Sequence, residues 1–464
     1  RGLKGNRQYQ YQLAVIKGDA THQTMSFECD TFFNYGLTPP SDAAMEFGAT
    51  ARPLARAITM AHPSQGGLCV VLGLKDGTVA AEVAIQSQMR VIAFDDNRQR
   101  VELLRRELLQ SGLYGSRVAI HYTPTLSQVP LTGLIANIVF SERLILGGDH
   151  ALDWNEAYRL LRPNGGILVT TTADGARQDD NEPLPLDIRR HETEELELLV
   201  GQRRPLPGAG EWSHLYGLPN NSAFGGESLQ GLKQREDLQV QWVGRPGARY
   251  QPDRNGRKPS PLSIGGRLYL QGLNRILALD AYNGSILWSL EIPSLGRFNM
   301  PRDCSNWCAD EDYLYVAIDG ECWQIDGTDG SVNRRFKVRA GAQKDWNFHW
   351  GYVASTDKLL LGSAVKDDAP FRNFWGGADA GWYDAKGGDA TGKICSDRLF
   401  AYDKKTGDVV WSYSDGILIN PTMTASSDRV FFVESRNPDL VASPQRRVFD
   451  DRLWEQQFLV ALDR

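Results

Sequence analysis

Ala278-Leu279-Asp280-Ala281-Tyr282-Asn283-Gly284-Ser285-Ile286-Leu287-Trp288 and Ala401-Tyr402-Asp403-Lys404-Lys405-Thr406-Gly407-Asp408-Val409-Val410-Trp411 are two copies of one motif. An apolar strand ends at Asp, a glycine follows, and a returning strand delivers Trp. The Asp carboxylate suits the backbone N–H groups of a turn. The glycine supplies the positive φ of a tight hairpin. The tryptophan has a large flat face that fills the gap between neighbouring sheets. Gln324-Ile325-Asp326-Gly327-Thr328-Asp329-Gly330 is a shorter copy, and Ala461-Leu462-Asp463 begins another. Trp242 and Trp288 lie 46 positions apart, and so do Asp280 and Asp326. A period in the forties with roughly four strands per unit is the pattern of a β-propeller. The longer gaps, from Asp326 to Asp403 and on to Asp463, read as blades with insertions. The expectation for 211–464 is an all-β partial propeller of about four to five blades, incomplete at its C-terminus.

Working upstream, the chain changes character. From Gly67 to Thr172 short apolar runs alternate with helical patterns. Leu68–Leu72, Arg90–Phe94, Val118–Ile120, Leu134–Phe140 and Ile167–Thr170 read as strands. Val79–Ile85, Arg98–Leu109 and Trp154–Leu161 read as helices, the second with Val101, Leu103, Leu104, Leu108 and Leu109 at helical spacing. Such alternation predicts an α/β domain, here 46–200, with a parallel sheet covered on both faces. Residues 1–45 form an N-terminal segment with a strand at Gln8–Ile16 and a turn with a helix cap at Thr38–Asp42. His191–Val200 reads as an amphipathic helix, and the proline- and glycine-rich stretch 201–210 as a linker.

The 464 residues carry a net charge of −6 and are 41% hydrophobic, an ordinary globular composition that argues against a nucleic-acid-coating protein. No run of 18 apolar residues crosses a membrane. The chain opens at Arg1 and stops partway through a motif copy, so a processed or incomplete chain is expected. No Cys-x-x-Cys-His attaches haem, and the histidines show no metal-ligand spacing.

Leu72-Gly73-Leu74-Lys75-Asp76-Gly77-Thr78, followed by Asp95 at the end of the second strand, and Glu156-Ala157-Tyr158-Arg159-Leu160-Leu161-Arg162-Pro163-Asn164-Gly165-Gly166-Ile167-Leu168-Val169 resemble the class I S-adenosylmethionine-dependent methyltransferase fold, a Rossmann-like architecture. The resemblance implies S-adenosylmethionine (SAM) bound over Gly73, Lys75 and Gly77, with Asp95 on the ribose. The sequence departs from the family at four places. Lys75 replaces the middle glycine, Val71 stands where an acid is usual, Tyr122-Thr123-Pro124 stands where a Gly-Asp usually follows the third strand, and Asn137 occupies the acidic site before the fourth strand. A side chain at Lys75 narrows the backbone cradle, so the departures imply a degenerate site.

The repeats of 211–464 resemble the pyrroloquinoline-quinone (PQQ) type, a family of quinoprotein dehydrogenases and non-enzymatic assembly lipoproteins. With Gly210-Glu211-Trp212-Ser213-His214-Leu215-Tyr216, the two-domain arrangement resembles large exported planctomycete proteins with a PQQ-binding-like propeller. Quinone-binding relatives carry adjacent cysteines and a Ca²⁺ site of Glu, Asn and Asp. This chain has no Cys-Cys pair, and only Asn420 and Glu434 are of suitable type, so bound PQQ is not expected. In an exported protein Cys304 or Cys308 would bridge to Cys322. Trp346, His349 and Trp350 read as blade packing. The insertion Lys366–Lys393 places Asp379, Trp382 and Asp384 among further acids, aromatics and glycines. These are groups for a sugar or a cation, or for covering the propeller or meeting a partner.

The leading expectation is an extracytoplasmic (periplasmic or cell-surface) binding or scaffold protein, with a protein partner or further chain completing the propeller and no metal or assigned catalytic residue. Two alternatives stay open: an active SAM-dependent methyltransferase whose propeller recruits substrate, and a PQQ-dependent oxidoreductase. The motif residues Asp280, Gly284, Trp288, Asp326, Gly330, Asp403, Gly407 and Trp411 are expected to be structural.

Overall fold

The computed structural model describes residues 8–17, 20–30, 37, 40–147, 152–171, 184–193, 197–228, 232–244, 260–272, 275–292, 295, 306–339, 347–369 and 392–464. The chain divides into two compact units, Arg1–Leu37 and Thr38–Arg464. In the first, β1 (Gln8–Lys17) and β2 (Ala20–Asp30) form an antiparallel hairpin with Leu13 opposite Met25.

The second unit opens with α1 (Asp42–Phe47), capped by the Ser41 hydroxyl, which accepts the Ala44 N–H, and then α2 (Arg52–Met60). Strands and helices alternate from there: β3 (Gly66–Leu72), α3 (Thr78–Gln86), β4 (Gln88–Asp95), α4 (Arg98–Gln110), β5 (Val118–Tyr122), β6 (Ile138–Phe140), α5 (Glu142–Ile145), α6 (Trp154–Leu160) and β7 (Ile167–Thr171). Asn97 caps α4, whose Val101, Leu104 and Leu108 are buried, whereas Leu103 and Leu109 of the expected apolar set face solvent. Two further strands follow, β8 (Leu186–Glu192) and β9 (Glu197–Arg203). The seven-stranded sheet has the order β5-β4-β3-β6-β7-β9-β8. The first five of these are mutually parallel, and β9 is antiparallel to both neighbours. One hydrophobic core lies on each face, one around Cys69, Val71 and α3, the other around Val70, Leu72, Phe94 and α6.

His191–Val200 is not a helix. It spans the end of β8 and the start of β9, and Leu198 and Val200 are buried at a strand's alternation against the edge of β7. Pairing with an open sheet edge outweighs the local helical pattern. The sheet therefore runs to Arg203, which donates to the carbonyls of Tyr158 and Leu161.

The rest is antiparallel β. Sheet one is β10 (Leu262–Ile264), β11 (Arg267–Gly272), β12 (Arg275–Asp280) and β13 (Ile286–Glu291). Sheet two is β14 (Trp307–Ala309), β15 (Tyr313–Ile318), β16 (Glu321–Asp326) and β17 (Val332–Lys337). Sheet three joins β18 (Phe348–Ser355) and β19 (Leu359–Lys366) to β21 (Arg398–Asp403) and β22 (Val409–Tyr413), while β20 (Lys393–Ser396) crosses to the next sheet. Sheet four gathers β20, β23 (Ile417–Ile419), β24 (Thr424–Ala425), β25 (Arg429–Ser435), β26 (Arg447–Val448) and β27 (Gln457–Asp463). Hydrophobic cores fill the gaps between sheets one and two, two and three, and three and four.

The motif works as a staple between blades. Asp280, Asp326 and Asp403 each accept turn N–H groups through Oδ1. The Trp242 indole donates to Ala281 O and the Trp288 indole to Gly327 O, both at 2.9 Å, so each crosses to the next turn. Arg334 takes the third step, donating to the carbonyls of Lys405 and Thr406 in the Asp403–Gly407 turn. A guanidinium here replaces an indole. Gly330 has φ +78°, and a Cβ there would lie 2.7 Å from Trp288 Cδ2. Gly330→Ala is expected to cost about 2–3 kcal/mol, from left-handed strain plus displacement of the indole. A thermal melt of the variant beside Ser331→Ala checks it.

The two halves of the second unit share a buried polar joint. Asn137 donates to Asp280 Oδ2 at 2.8 Å and accepts from the Leu68 N–H, also at 2.8 Å. Arg162 Nε lies 3.0 Å from the same Asp280 oxygen. Asn283 donates to Ile135 O and Asn137 Oδ1. Asp280 thus holds its own turn with one oxygen and the α/β domain with the other.

Candidate functional site

In an open parallel sheet, ligands bind beyond the strand carboxyl ends where strand order reverses. That place here lies between β3 and β6, so it is bounded by the loop after Leu72 and by Ser141-Glu142 after Phe140. Gly73, Lys75 and Gly77 are all in that loop, and Asp95 ends the adjacent β4. The structure brings the four together as the sequence placed them, and it adds a fifth residue, Glu142.

Glu142 is fully buried and points into the loop. Its Oε2 accepts the N–H of Lys75 at 2.7 Å and of Gly77 at 2.8 Å. Its Oε1 accepts the N–H of Val79 at 2.9 Å and of Ala80 at 3.4 Å. A helix N-terminus with a glycine turn presents such donors to an anion. Here the anion is a side chain of the same fold. Burial raises the Glu142 carboxyl above the usual range, against the opposing pull of the Lys75, Gly77 and Val79 N–H groups. The backbone secures the same closure, since Glu142 N–H donates to Gly73 O. Lys75 Nζ turns away to Leu146 O.

Asp95 is equally enclosed, with no side-chain exposure. It accepts from Leu74 N–H and Asn97 N–H at 2.8 Å each, and from Arg143 Nη2 at 2.6 Å. Arg100 Nη1 lies 3.2 Å from both its oxygens, and Arg143 also reaches Asp96. A carboxylate reserved for ribose hydroxyls would keep an oxygen open to the crevice, whereas this one is the centre of an ion-pair cluster. Neither the loop nor Asp95, as arranged, fits a nucleotide-bearing cofactor. Sequence reasoning missed Glu142 and Arg143 because they follow β6, about 65 residues from the loop they fill.

In the propeller-like half, 211–221 bonds to an edge strand of each of the four sheets. Trp212 and Ser263 exchange backbone hydrogen bonds, Ala309 N–H donates to Ser213 O, and Ala425 N–H donates to Pro219 O. Ser355 N–H donates to His214 Nε2 at 3.1 Å. His214 Nδ1 therefore carries the proton and donates to Ser213 Oγ. Ser263, Ala309 and Ser355 recur every 46 positions. That register was the available sequence signal for the strap.

Asn420 accepts from Ser396, while Glu434 accepts from Tyr413 and Arg436, so the two suitable residues share no centre. Among the described residues no His/Cys/Asp/Glu group could hold a metal ion. Asp379, Trp382 and Asp384 lie outside the described residues, as do Trp346 and Cys304. Cys308 and Cys322 are buried free thiols rather than bridge partners. They sit on β14 and β16, separated by β15, about two strand spacings or ~9.6 Å, beyond the reach of a disulfide. His349 faces Asp319 at 3.4 Å, and Trp350 is fully buried in the blade core.

Burial holds His62 and His214 neutral, each with its pKa lowered to about 3. The unfolded chain takes up a proton at each as pH falls through 6.5, and the folded chain does not. Stability is thus fully present above pH 6.5 and is lost between 6.5 and about 3. From pH 7.5 to 5 the expected loss is about 2 kcal/mol per histidine, roughly 4 together. Urea midpoints at the two pH values check this, and His214→Gln should halve the difference.

No protein-family model and no curated protein matches the chain. Among solved structures it is similar to a putative S-adenosylmethionine-dependent methyltransferase from Methanococcus maripaludis, at 14% identity over 36% of this chain and 92% of that one, with TM-score 0.28. A methyltransferase from Geobacter sulfurreducens aligns at 21% identity over 36% and 93%, with TM-score 0.26. BamB from Moraxella catarrhalis aligns at 13% identity over 39% of this chain, with TM-score 0.22, and the match spans about half of BamB, 49%.

Proposed function

We propose that the protein is a non-enzymatic binding scaffold of the extracytoplasmic space, in which a methyltransferase-like domain has become a structural partner of a quinoprotein-like propeller. One observation carries the reading: Glu142 supplies from inside the fold the negative group that the loop at Gly73–Gly77 would otherwise take from a cofactor. Arg143 does the complementary thing to Asp95. The position where the methyltransferase pattern has an acid, Asn137, holds the blade turn at Asp280 instead. All three features turn residues of a catalytic crevice towards cohesion. Cys69, Cys308, Cys322 and Cys395 are buried thiols, inert in an oxidising or a reducing compartment alike.

Calorimetry with S-adenosylmethionine tests the central part, and no heat is expected at millimolar ligand. Micromolar binding that disappears in Asp95→Ala would replace this reading with an active methyltransferase. Fractionation of the tagged protein in its native host tests the location, and recovery with the cytosol would remove the extracytoplasmic part alone.

A further inference from the structure

The seven-stranded sheet has two edges, and they are built differently. At β5 the carbonyl of Ile120 accepts from Arg105 Nε at 2.9 Å and Nη2 at 2.7 Å, and only the last two residues, His121 and Tyr122, are exposed. At β8 four consecutive residues, Asp187, Ile188, Arg189 and Arg190, are exposed, so this stretch is open on both faces of the sheet. Ile188 is 56% exposed, and the Asp187 and Arg190 side chains are 62% and 70% exposed. The topology itself puts β8 at the margin, because β9 inserts between it and β7. β8 pairs with β9 on one side, and among the described residues no strand pairs with its other side. Asp187 and Arg189 share one face, Ile188 and Arg190 the other.

An exposed edge is a template for pairing with another chain. Charge of one sign along it would repel every copy, but β8 alternates sign on one face. Asp187 Oδ1 accepts from Arg204 Nε at 2.9 Å and Nη2 at 2.6 Å, and Asp187 Oδ2 has no bond among the described residues. Arg189 donates through Nη2 to Ala61 O at 2.7 Å, which anchors it beside the edge. In an antiparallel pair related by a two-fold axis, one residue faces its own mate and its neighbours pair symmetrically. Opposite charges that face each other across such a pair attract, and like charges repel. Centring the pair on Asp187, Arg189 or Arg190 sets like charges against each other. Centring it on Ile188 sets apolar against apolar, Asp187 against the second copy's Arg189, and Arg189 against the second copy's Asp187. On the other face Arg190 then lies opposite Leu186 and keeps its ion pair with Glu197.

We propose that β8 is an interaction surface that pairs antiparallel with β8 of a second copy of this chain, with Ile188 on the two-fold axis and an Asp187–Arg189 ion pair on either side of it. The sheets of the two copies then run on as one. Pairing covers Ile188 and removes an open edge from each copy. The inference is independent of whether the loop at Gly73–Gly77 is closed.

Light scattering of the unmodified protein is expected to give twice the 51.7 kDa of one chain. About 50 µM protein suits an interface at the small end of the usual range. Asp187→Arg and Arg189→Asp should each return the mass to that of one chain with circular dichroism unchanged, because each sets like charges opposite one another. Mixed in equal amounts, the two variants should restore the doubled mass, since every contact between positions 187 and 189 is then Arg against Asp. Oxidation of Ile188→Cys should give a disulfide-linked dimer. Arg190→Cys, on the same exposed stretch but far from its mate in this register, should give none, and neither should the unmodified protein. A one-chain mass for the unmodified protein overturns the proposal. A doubled mass that survives Asp187→Arg, a mixture that stays at the mass of one chain, or equal cross-linking at 188 and 190 also overturns it, by placing any contact on another surface or in another register.

Discussion

Glu142→Ala lowers the unfolding free energy by about 3–5 kcal/mol, measured by urea denaturation at pH 7.5. Four backbone N–H groups lose their acceptor in a dry site, and each buried unsatisfied group costs about 1–3 kcal/mol, part of it recovered by entering water. Glu142→Gln separates the carboxylate from simple filling of the space. The amide keeps one acceptor oxygen and turns an NH₂ group towards the remaining donors, so about 2–3 kcal/mol is lost. Glu142→Ala should also raise hydrogen exchange at Lys75, Gly77 and Val79 while β5 at the far sheet edge stays protected. A loss below 1 kcal/mol in the alanine variant would mean that the carboxylate is not what holds the loop, and the scaffold reading would lose its main support.

Asn137→Asp is the second large effect. It restores the acidic residue of the methyltransferase pattern, and in an active enzyme such a change would be harmless or helpful. Here Asn137 is fully buried and its amide N–H meets Asp280 Oδ2 at 2.8 Å. The aspartate would set two carboxylates against each other in a site whose nearest cation, Arg162, is already engaged by Asp280. A loss of about 3–4 kcal/mol is expected, with partial neutralisation by proton uptake below pH 6. Pairing it with Asp280→Asn should recover part of that loss. The double-mutant cycle then reports a coupling of about 1–3 kcal/mol between the two domains. Additive single effects would show that the domains do not act through this joint.

Much of the architecture was legible because it is periodic. The alternation from Leu68 to Thr170 gave most strands and helices near their observed bounds, since each element's apolar spacing answers to its own neighbours along the chain; the strand expected at Leu134–Phe140 is the exception, only Ile138–Phe140 being strand, with Leu134 at φ +64°. The turn at Asp280–Gly284 could be read as a mechanism for the same reason: the carboxylate bonds N–H groups two and three residues on. The reading failed where the partner is distant. His191–Val200 has a helical pattern by itself and becomes strand because β7 offers an edge. Arg334 was overlooked as a staple because only its reach to Lys405 and Thr406 equates it with tryptophan. At the loop the sequence located Gly73, Lys75, Gly77 and Asp95 and suspected the site from Lys75. The residue that fills it, Glu142, has no local signature.

By itself, then, the sequence determined the two repeating patterns, one of period about 3.6 alternating with short apolar runs and one of 46, and with them the two halves of the protein. Only the tertiary structure decided what the loop donors and Asp95 bond to, and that Asn137 and Asp280 join the halves. Local backbone preferences act over a few residues and leave a mark in spacing. A buried hydrogen bond or ion pair is set by which side chains the completed fold brings within about 3 Å, whatever their separation in the chain.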